Sequence, residues 1–363
     1  FERFGGKDVC AHDLRAYLRR VPVTAHAGLL EKLREAGLGV EKARLDGKDP
    51  GFEKACIQEA CLFKFERMLG AYASAPQDEC LAAVRRMIGQ FFATDKLIVR
   101  PPGYLKERTP SDDCLLVACR LILDMYHASS PPNESLLVDC AVIARHGLEV
   151  SPKQFHFKLL LMEIYSHLGA CEPMYLMFNG LDVKHVLWDT LLHTIHPYSW
   201  RWGALSRAKY MSEQLMRLDR DNKKDSPDFA FEAFKHGTYS KVAELLNFES
   251  RLSNSLQLAA CHADYATISL MDMSSDMEDG EVASFLSTMG GVRESLACSD
   301  ADGDKLRDNR EHEAGERWDP VIQLPRKEVE ASPERQSAAR KEVLIAGCVP
   351  RLAAAFLCPP QGE

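Results

Sequence analysis

The chain lacks a long apolar run. Dense stretches such as Leu159-Leu160-Leu161-Met162, stopped by Glu163, are interrupted quickly, far short of the ~20 apolar residues a membrane helix needs. It also lacks C-x-x-C, G-x-S-x-G, a G-x-x-x-x-G-K-[ST] loop and H-E-x-x-H. The short signatures of dithiol, serine-hydrolase, nucleotide-binding and zinc-protease chemistry are therefore missing. β-Branched alternation is scarce, which argues against sheet. There is no basic excess: Lys and Arg number 45 against 53 Asp and Glu, for a net charge of -8. A protein built to grip nucleic acid usually shows the opposite balance, so neither nucleic acid nor membrane is expected as a direct partner. The opening Phe1-Glu2-Arg3-Phe4 has no Met and no signal-peptide pattern. The chain reads as an internal piece of a longer protein.

The 363 residues are 46% hydrophobic and 27% charged, enough for a sizeable core in two to three domains or one extended array. Twelve cysteines occur without a secretory signal. They read as reduced, buried, small apolar residues, and the expected location is the cytoplasm.

Apolar residues recur at spacings of three and four, the helical period. Helices are expected near 11–20, 24–36, 53–73, 77–93, 112–128, 134–147, 153–168, 171–180, 184–195, 204–219, 227–236, 239–248, 250–272 and 279–289. Prolines such as Pro152 and Pro227 fall between them or in a first turn, and Ser111-Asp112 and Ser226 are placed as N-caps.

Gly169, Gly203 and Gly237 stand 34 residues apart, each between two helical segments. That is the tetratricopeptide period, and a tight turn between antiparallel helices favours glycine. Pro152 falls at a repeat end. Tyr165 precedes Gly169 by four residues, and Ala208 fills the small-residue slot five after Gly203, with Val242 in that slot after Gly237. The expected fold is all-α, an α-solenoid of divergent tetratricopeptide-like helix pairs in a right-handed superhelix. The expected organisation is an irregular helical stretch over 1–133, repeats over 134–275, a charged and partly disordered segment over 276–345, and an atypical tail over 346–363. The charged stretch 299–342 carries 21 charged residues in 44, too many to bury. Within it, Trp318 is expected to anchor on the array.

Three constellations look chemical and resolve to something plainer. Arg34-Glu35-Ala36-Gly37-Leu38-Gly39 matches a loop that cradles acetyl-CoA pyrophosphate. Such a loop needs a preceding strand, whereas Leu29–Leu33 is helical in pattern, so Gly37 reads as a helix C-cap. Asp300-Ala301-Asp302-Gly303-Asp304 with Glu311 resembles a calcium loop, but Lys305 stands where the turn glycine belongs. His185, His193 and His196 have no partnering zinc pattern. Trp188, Tyr198, Trp200 and Trp202 cluster near a repeat boundary and read as core, with an exposed anchor as the alternative. No catalytic, cofactor-binding or metal residue is assigned, and no cofactor.

Longer strings carry a resemblance. They are Gln154-Phe155, Phe157–Leu161, Ile164-Tyr165, Leu168-Gly169-Ala170 and Glu172-Pro173. Further along come Leu181-Asp182-Val183-Lys184-His185, Lys224-Asp225-Ser226, Ala233–Gly237 and Arg251-Leu252-Ser253-Asn254-Ser255-Leu256. The last are Leu306-Arg307-Asp308-Asn309-Arg310 and Trp318-Asp319-Pro320. Together they resemble the auxiliary, non-catalytic subunit of the N-terminal acetyltransferase B (NatB) complex. The resemblance covers most of 1–345 and fades after Gly347. It implies a tetratricopeptide superhelix that wraps a GNAT-fold catalytic subunit. It further implies support, at the ribosome, of acetylation of nascent Met-Asp, Met-Glu, Met-Asn and Met-Gln N-termini, with the catalytic residues on the partner. The rivals are a generic tetratricopeptide adaptor and, on Arg34–Gly39 alone, an acetyltransferase. An adaptor that clamps carboxylates needs inward Lys, Arg and Asn at fixed repeat slots, and no regular set is present.

Overall fold

The computed structural model describes residues 5–7, 9–41, 51–97, 109, 111–272, 281, 284, 295, 305–315, 317–321 and 333–357. These are almost entirely helical. Their β pairing is an isolated parallel bridge between Ser255 and Arg307. The chain divides into two units, Phe1–Leu181 with Glu313–Leu324 and Asp182–His312 with Pro325–Glu363.

The first unit holds α1 (Cys10–Leu18), α2 (His26–Glu41), α3 (Phe52–Met68), α4 (Gln77–Asp95), α5 (Asp112–Ala128), α6 (Glu134–Val150), α7 (Phe155–Leu168) and α8 (Cys171–Asn179). From α4 onward each helix packs against its sequence neighbour, with α3 and α7 also reaching α5. This nearest-neighbour stacking is that of a helical solenoid. α5 is its spine and is buried continuously from Asp112 to Leu123. Each fully buried Leu or Ile there contributes about 1.5–3 kcal/mol. The two acids of its first turn suit the helix dipole, and both have partners. Asp112 accepts the Thr109 N–H at 2.8 Å and the Ser151 hydroxyl at 3.0 Å. Asp113 pairs with Lys64 of α3 at 2.5 Å.

The second unit holds α9 (Leu187–Leu191), α10 (His196–Arg201), α11 (Leu205–Lys235), α12 (Tyr239–Ser253), α13 (Leu256–Met271) and α14 (Pro333–Leu357). α11 packs against α10, α12 and α13, and α13 against α14. α14 runs across the expected boundary at 345/346.

One turn recurs. Gly169, Gly203 and Gly237 take φ of 67°, 69° and 72°. After each, the next N–H returns five residues: Ala170 to the Tyr165 carbonyl, Ala204 to Ser199 and Thr238 to Ala233, all at 2.9 Å. This is the Schellman closure of a helix, whose left-handed residue favours glycine. The same turn occurs at Gly70, φ 78°, where Ala71 N–H reaches the Glu66 carbonyl. Gly70 lies off the 34-residue register. Ala208 is fully buried, Tyr165 is half-buried and Pro152 is exposed.

Several boundaries differ from the sequence expectation. Helices expected at 204–219 and 227–236 are one helix, α11, with Pro227 inside it. Ser226 is thus an interior residue, not an N-cap, and its hydroxyl donates to Asn222 Oδ1 at 3.0 Å. The interior proline costs about 3 kcal/mol. α12 packs along α11, and Ser253 Oγ of α12 donates to Asp219, two turns before the proline, at 3.1 Å. Gly37 lies inside α2 rather than at its C-cap. Ser111 sits at the N-cap of α5 but makes no capping bond. The helix expected over 184–195 is the short α9 followed by a 3-10 turn, Leu192–Thr194. The left-handed residues Asp182 (φ 53°) and His185 (φ 49°) precede it. The helix expected over 250–272 breaks at Asn254, and Ser255 caps α13 by accepting the N–H groups of Gln257 and Leu258.

Candidate interaction surface

The family-like strings at 306–310 and 318–320 belong to an irregular segment held by side chains within each unit. In the first unit, Arg67 of α3 is 3% exposed in its side chain. Its Nε and Nη2 donate to both carboxylate oxygens of Asp124 on α5, at 3.0 and 2.8 Å. Its Nη1 donates to Asp319 at 3.0 Å and to the Arg317 carbonyl. Beside it, Arg120 of α5 donates to Glu163 of α7 and to the Gly315 carbonyl, and Arg317 reaches Glu163 at 2.9 Å. Burial disfavours the ionised Glu163, but Arg120 and Arg317 outweigh it and hold the carboxyl at about 2. Trp318 is 4% exposed with φ 45°. Its ring lies 4.7 Å from Lys64 Nζ, and Pro320 is buried. Trp318 is thus anchored against α3, where the buried Lys64 offers a cation for its face, and its neighbour Arg317 reaches Glu163 of α7.

In the second unit, Leu306 sits in a small core with Leu256 and Ala259, packed by Ala339 and Val343 of α14. Arg307 contributes its backbone, accepting from Leu256 N–H and donating to the Asn254 carbonyl. Asn309 Nδ2 donates to Asp189 Oδ2 and to the Arg251 carbonyl, both at 2.9 Å. Asp308 takes a two-pronged contact from Arg310 at 2.7 Å. Burial opposes its charge, yet Arg310 and His312 hold it well below the usual carboxylate range. Leu252 is buried and the Arg251 side chain exposed. Lys184 and His185 are exposed, with Lys184 2.7 Å from Asp182.

The sequence-suggested chemistry is not assembled. α2 runs through Arg34–Gly39, and a helix there leaves no strand-to-helix loop for a pyrophosphate, which removes the acetyltransferase rival. Asp300–Asp304 lies outside the described residues, and the Glu311 N–H donates to the Thr190 carbonyl. His193 stacks on His312 at 5.1 Å, while His185 is exposed elsewhere. Among the described residues no group of three or more His, Cys, Asp or Glu is placed to hold a metal. Trp188, Tyr198, Trp200 and Trp202 are half-buried.

His196 Nε2 lies 3.0 Å from Ser212 Oγ, and its Nδ1 lies 3.5 Å from Asp264. This has the outline of a Ser–His–Asp triad, but Ser212 is fully buried inside α11, out of reach of substrate. Burial pushes Asp264 up to about 7 and His196 down to about 4, so Asp264 is not the firmly ionised group that orients a triad histidine. The trio staples α10, α11 and α13 together.

The surface feature that remains is a helical hairpin. Phe229, Phe231 and Phe234 at the end of α11, and Tyr239 and Leu246 on α12, are each more than half exposed. Phe234 and Tyr239 meet edge-on at 5.5 Å across the Gly237 turn. The flanking charges neutralise one another locally: Lys235 with Glu232, and Lys241 with Glu244. Sequence reading did not single out this surface. Phe231 and Phe234, three apart, share one face of α11, whereas Phe229, two from Phe231, lies on another, so the three cannot all be core.

A family model described as the N-acetyltransferase B complex (NatB) non catalytic subunit matches residues 1–312. The human protein "N-alpha-acetyltransferase 25, NatB auxiliary subunit" is 26% identical over 324 residues, covering 88% of this chain and 32% of its own length. The Arabidopsis thaliana "N-terminal acetyltransferase B complex auxiliary subunit NAA25" is 24% identical, covering 77% of this chain and 25% of its own. A chain of the solved NatB acetyltransferase complex bound to a bisubstrate inhibitor aligns with a TM-score of 0.42 at 14% identity, covering 96% of this chain and 55% of that one. This chain spans about a third of the length of the human relative. With the family model matched over most of its length, the chain belongs to the family of non-catalytic subunits of the N-acetyltransferase B complex.

Proposed function

We propose that this stretch is a scaffold that binds the GNAT-fold catalytic subunit of NatB and supports its acetylation of nascent Met-Asp, Met-Glu, Met-Asn and Met-Gln N-termini. The reading places it in the cytoplasm, with ribosome contact made through the complete complex. The observation that carries it is the family match over residues 1–312. The solenoid-like stacking supports it, because such arrays work by offering surface to other proteins. The 306–310 and 318–320 segments act as internal clasps in this reading, and the aromatic hairpin of α11 and α12 is the contact surface of the second unit. Among the described residues no helix is long and apolar enough to cross a membrane.

The test is co-purification of the chain with the catalytic subunit, followed by acetylation of a Met-Asp peptide with and without it. Stable association that raises the acetylation rate is the expected result. Failure to associate, both as this stretch and with the flanking sequence of a relative restored, overturns the reading. A specific, saturable titration with acidic C-terminal peptides instead favours the generic adaptor.

A further inference from the structure

In the first unit, the turn between α3 and α4 and the last turn of α5 enclose a half-open cleft of about 530 Å³. That volume lies within the range of ligand-sized sites. Ala75, Leu121, Met125 and Pro320 give it an apolar wall. The opposite side is negative. The Asp124 carboxylate stands at the rim, 48% exposed. Residues 125–129 present the carbonyl end of the 17-residue α5, which carries a partial negative charge. The Cys80 thiol in the lining is pushed up by burial first and then by Glu79 and Asp124. Among the described lining residues the cation is Arg67, 3% exposed, and its charge is shared by Asp124 and Asp319. Arg86 nearby is committed to Glu66 and the Tyr72 hydroxyl.

We infer that this cleft receives a lysine or arginine side chain from an extended segment of a partner protein. The aliphatic stem lies along Leu121, Met125 and Pro320, and the cationic head meets Asp124 and the α5 carbonyl end. Long basic side chains divide in this way between an apolar wall and a polar rim. Arg67 is shared between Asp124 and Asp319, two carboxylates to one cation, so a second cation suits this rim and an anion is repelled by it. The inference does not require the scaffold reading, since it concerns a site wholly on this chain.

The test uses the full 363-residue chain with carbon-13 methionine methyl groups, titrated with Nα-acetyl-arginine amide. The control probe is Nα-acetyl-citrulline amide, of equal shape without the charge. The expected result is a saturating shift of the Met125 signal, about tenfold tighter for the arginine probe, and weaker as salt is raised. Ala75→Trp fills the cleft and abolishes the shift. Asp124→Asn weakens it, and if that variant disturbs Arg67 and the fold, Ala75→Trp alone decides. Equal binding of both probes, no Met125 shift with either, or a shift that survives Ala75→Trp overturns the inference.

Discussion

Asn309 and Asp189 stand 120 residues apart in sequence, yet Asn309 Nδ2 lies 2.9 Å from Asp189 Oδ2. The same carboxylate accepts the Ser255 hydroxyl through its other oxygen. Burial pushes Asp189 up, and these two hydrogen bonds hold it back. One buried acid thus ties the 306–310 segment to the start of α13. Asn309→Leu removes a donor and leaves Asp189 short of a partner, at a cost of about 1–3 kcal/mol. Chemical denaturation should show that loss, and amide exchange should rise first at Arg307 and Leu256, whose backbone bonds lie beside it.

Glu163 faces two arginines. Glu163→Gln keeps the shape and removes the charge, while Glu163→Ala leaves the buried Arg120 without its carboxylate. A loss of about 3–5 kcal/mol is expected for the alanine variant. The pH sign follows from a folded value of about 2 against an ordinary 4.5. The unfolded chain binds the proton more readily, so this stabilisation is complete above pH ~4.5 and fades as pH falls toward 2. Acid titration of the Gln variant should lack that component.

Asp264 and His196 titrate in opposite senses. The folded Asp264 sits at about 7, above its ordinary 3.8, so it alone makes stability fall as pH rises from ~4 to ~7. The folded His196 sits at about 4, below its ordinary 6.5, so it alone makes stability rise over ~4 to ~6.5. The two contributions cancel across their shared window. Asp264→Asn removes one of them, so the variant should gain stability from pH 4 to 6.5 relative to the parent. Thermal unfolding at intervals across that range reads the difference, and parallel curves contradict it.

Two glycines separate two kinds of cost. At Gly203 no atom crowds an added Cβ, but φ is +69°. Gly203→Ala should cost about 1 kcal/mol from backbone strain alone. At Gly147 a Cβ overlaps the Phe157 ring, so Gly147→Ala should cost about 1–3 kcal/mol. Phe157→Leu should ease the second and leave the first unchanged. Additivity in a double-mutant cycle at 147 and 157 contradicts the overlap.

The aromatic hairpin gives a test of surface against fold. Phe231→Glu with Phe234→Glu changes exposed positions, so the melting temperature should move little. Association with the catalytic subunit, measured by co-purification, should fall. A large drop in stability instead marks these rings as structural.

Local features were legible in the sequence. Helical periodicity is carried by neighbours three and four apart, and the Gly169, Gly203 and Gly237 turns need a residue type that announces itself. What escaped reading depends on distance. Arg67 and Asp319 are 252 residues apart, and no local pattern pairs them. Pro227 misled because its usual meaning is a break, whereas here it lies inside α11, which packs along α12. Trp318 was legible as an anchor, but its berth against Lys64 was not. The candidate cleft likewise draws Arg67, Leu121 and Pro320 from far-separated stretches.

Because α11 continues through Pro227, its 31 residues form one rod. From Ala208 in the core to Phe234 beside the turn is about 39 Å along the axis. The exposed rings at its tip and Ser212, which meets His196 in the interior, thus belong to one continuous helix. Any partner that covers the hairpin tip covers the end of a helix whose other end is part of the core of the second unit.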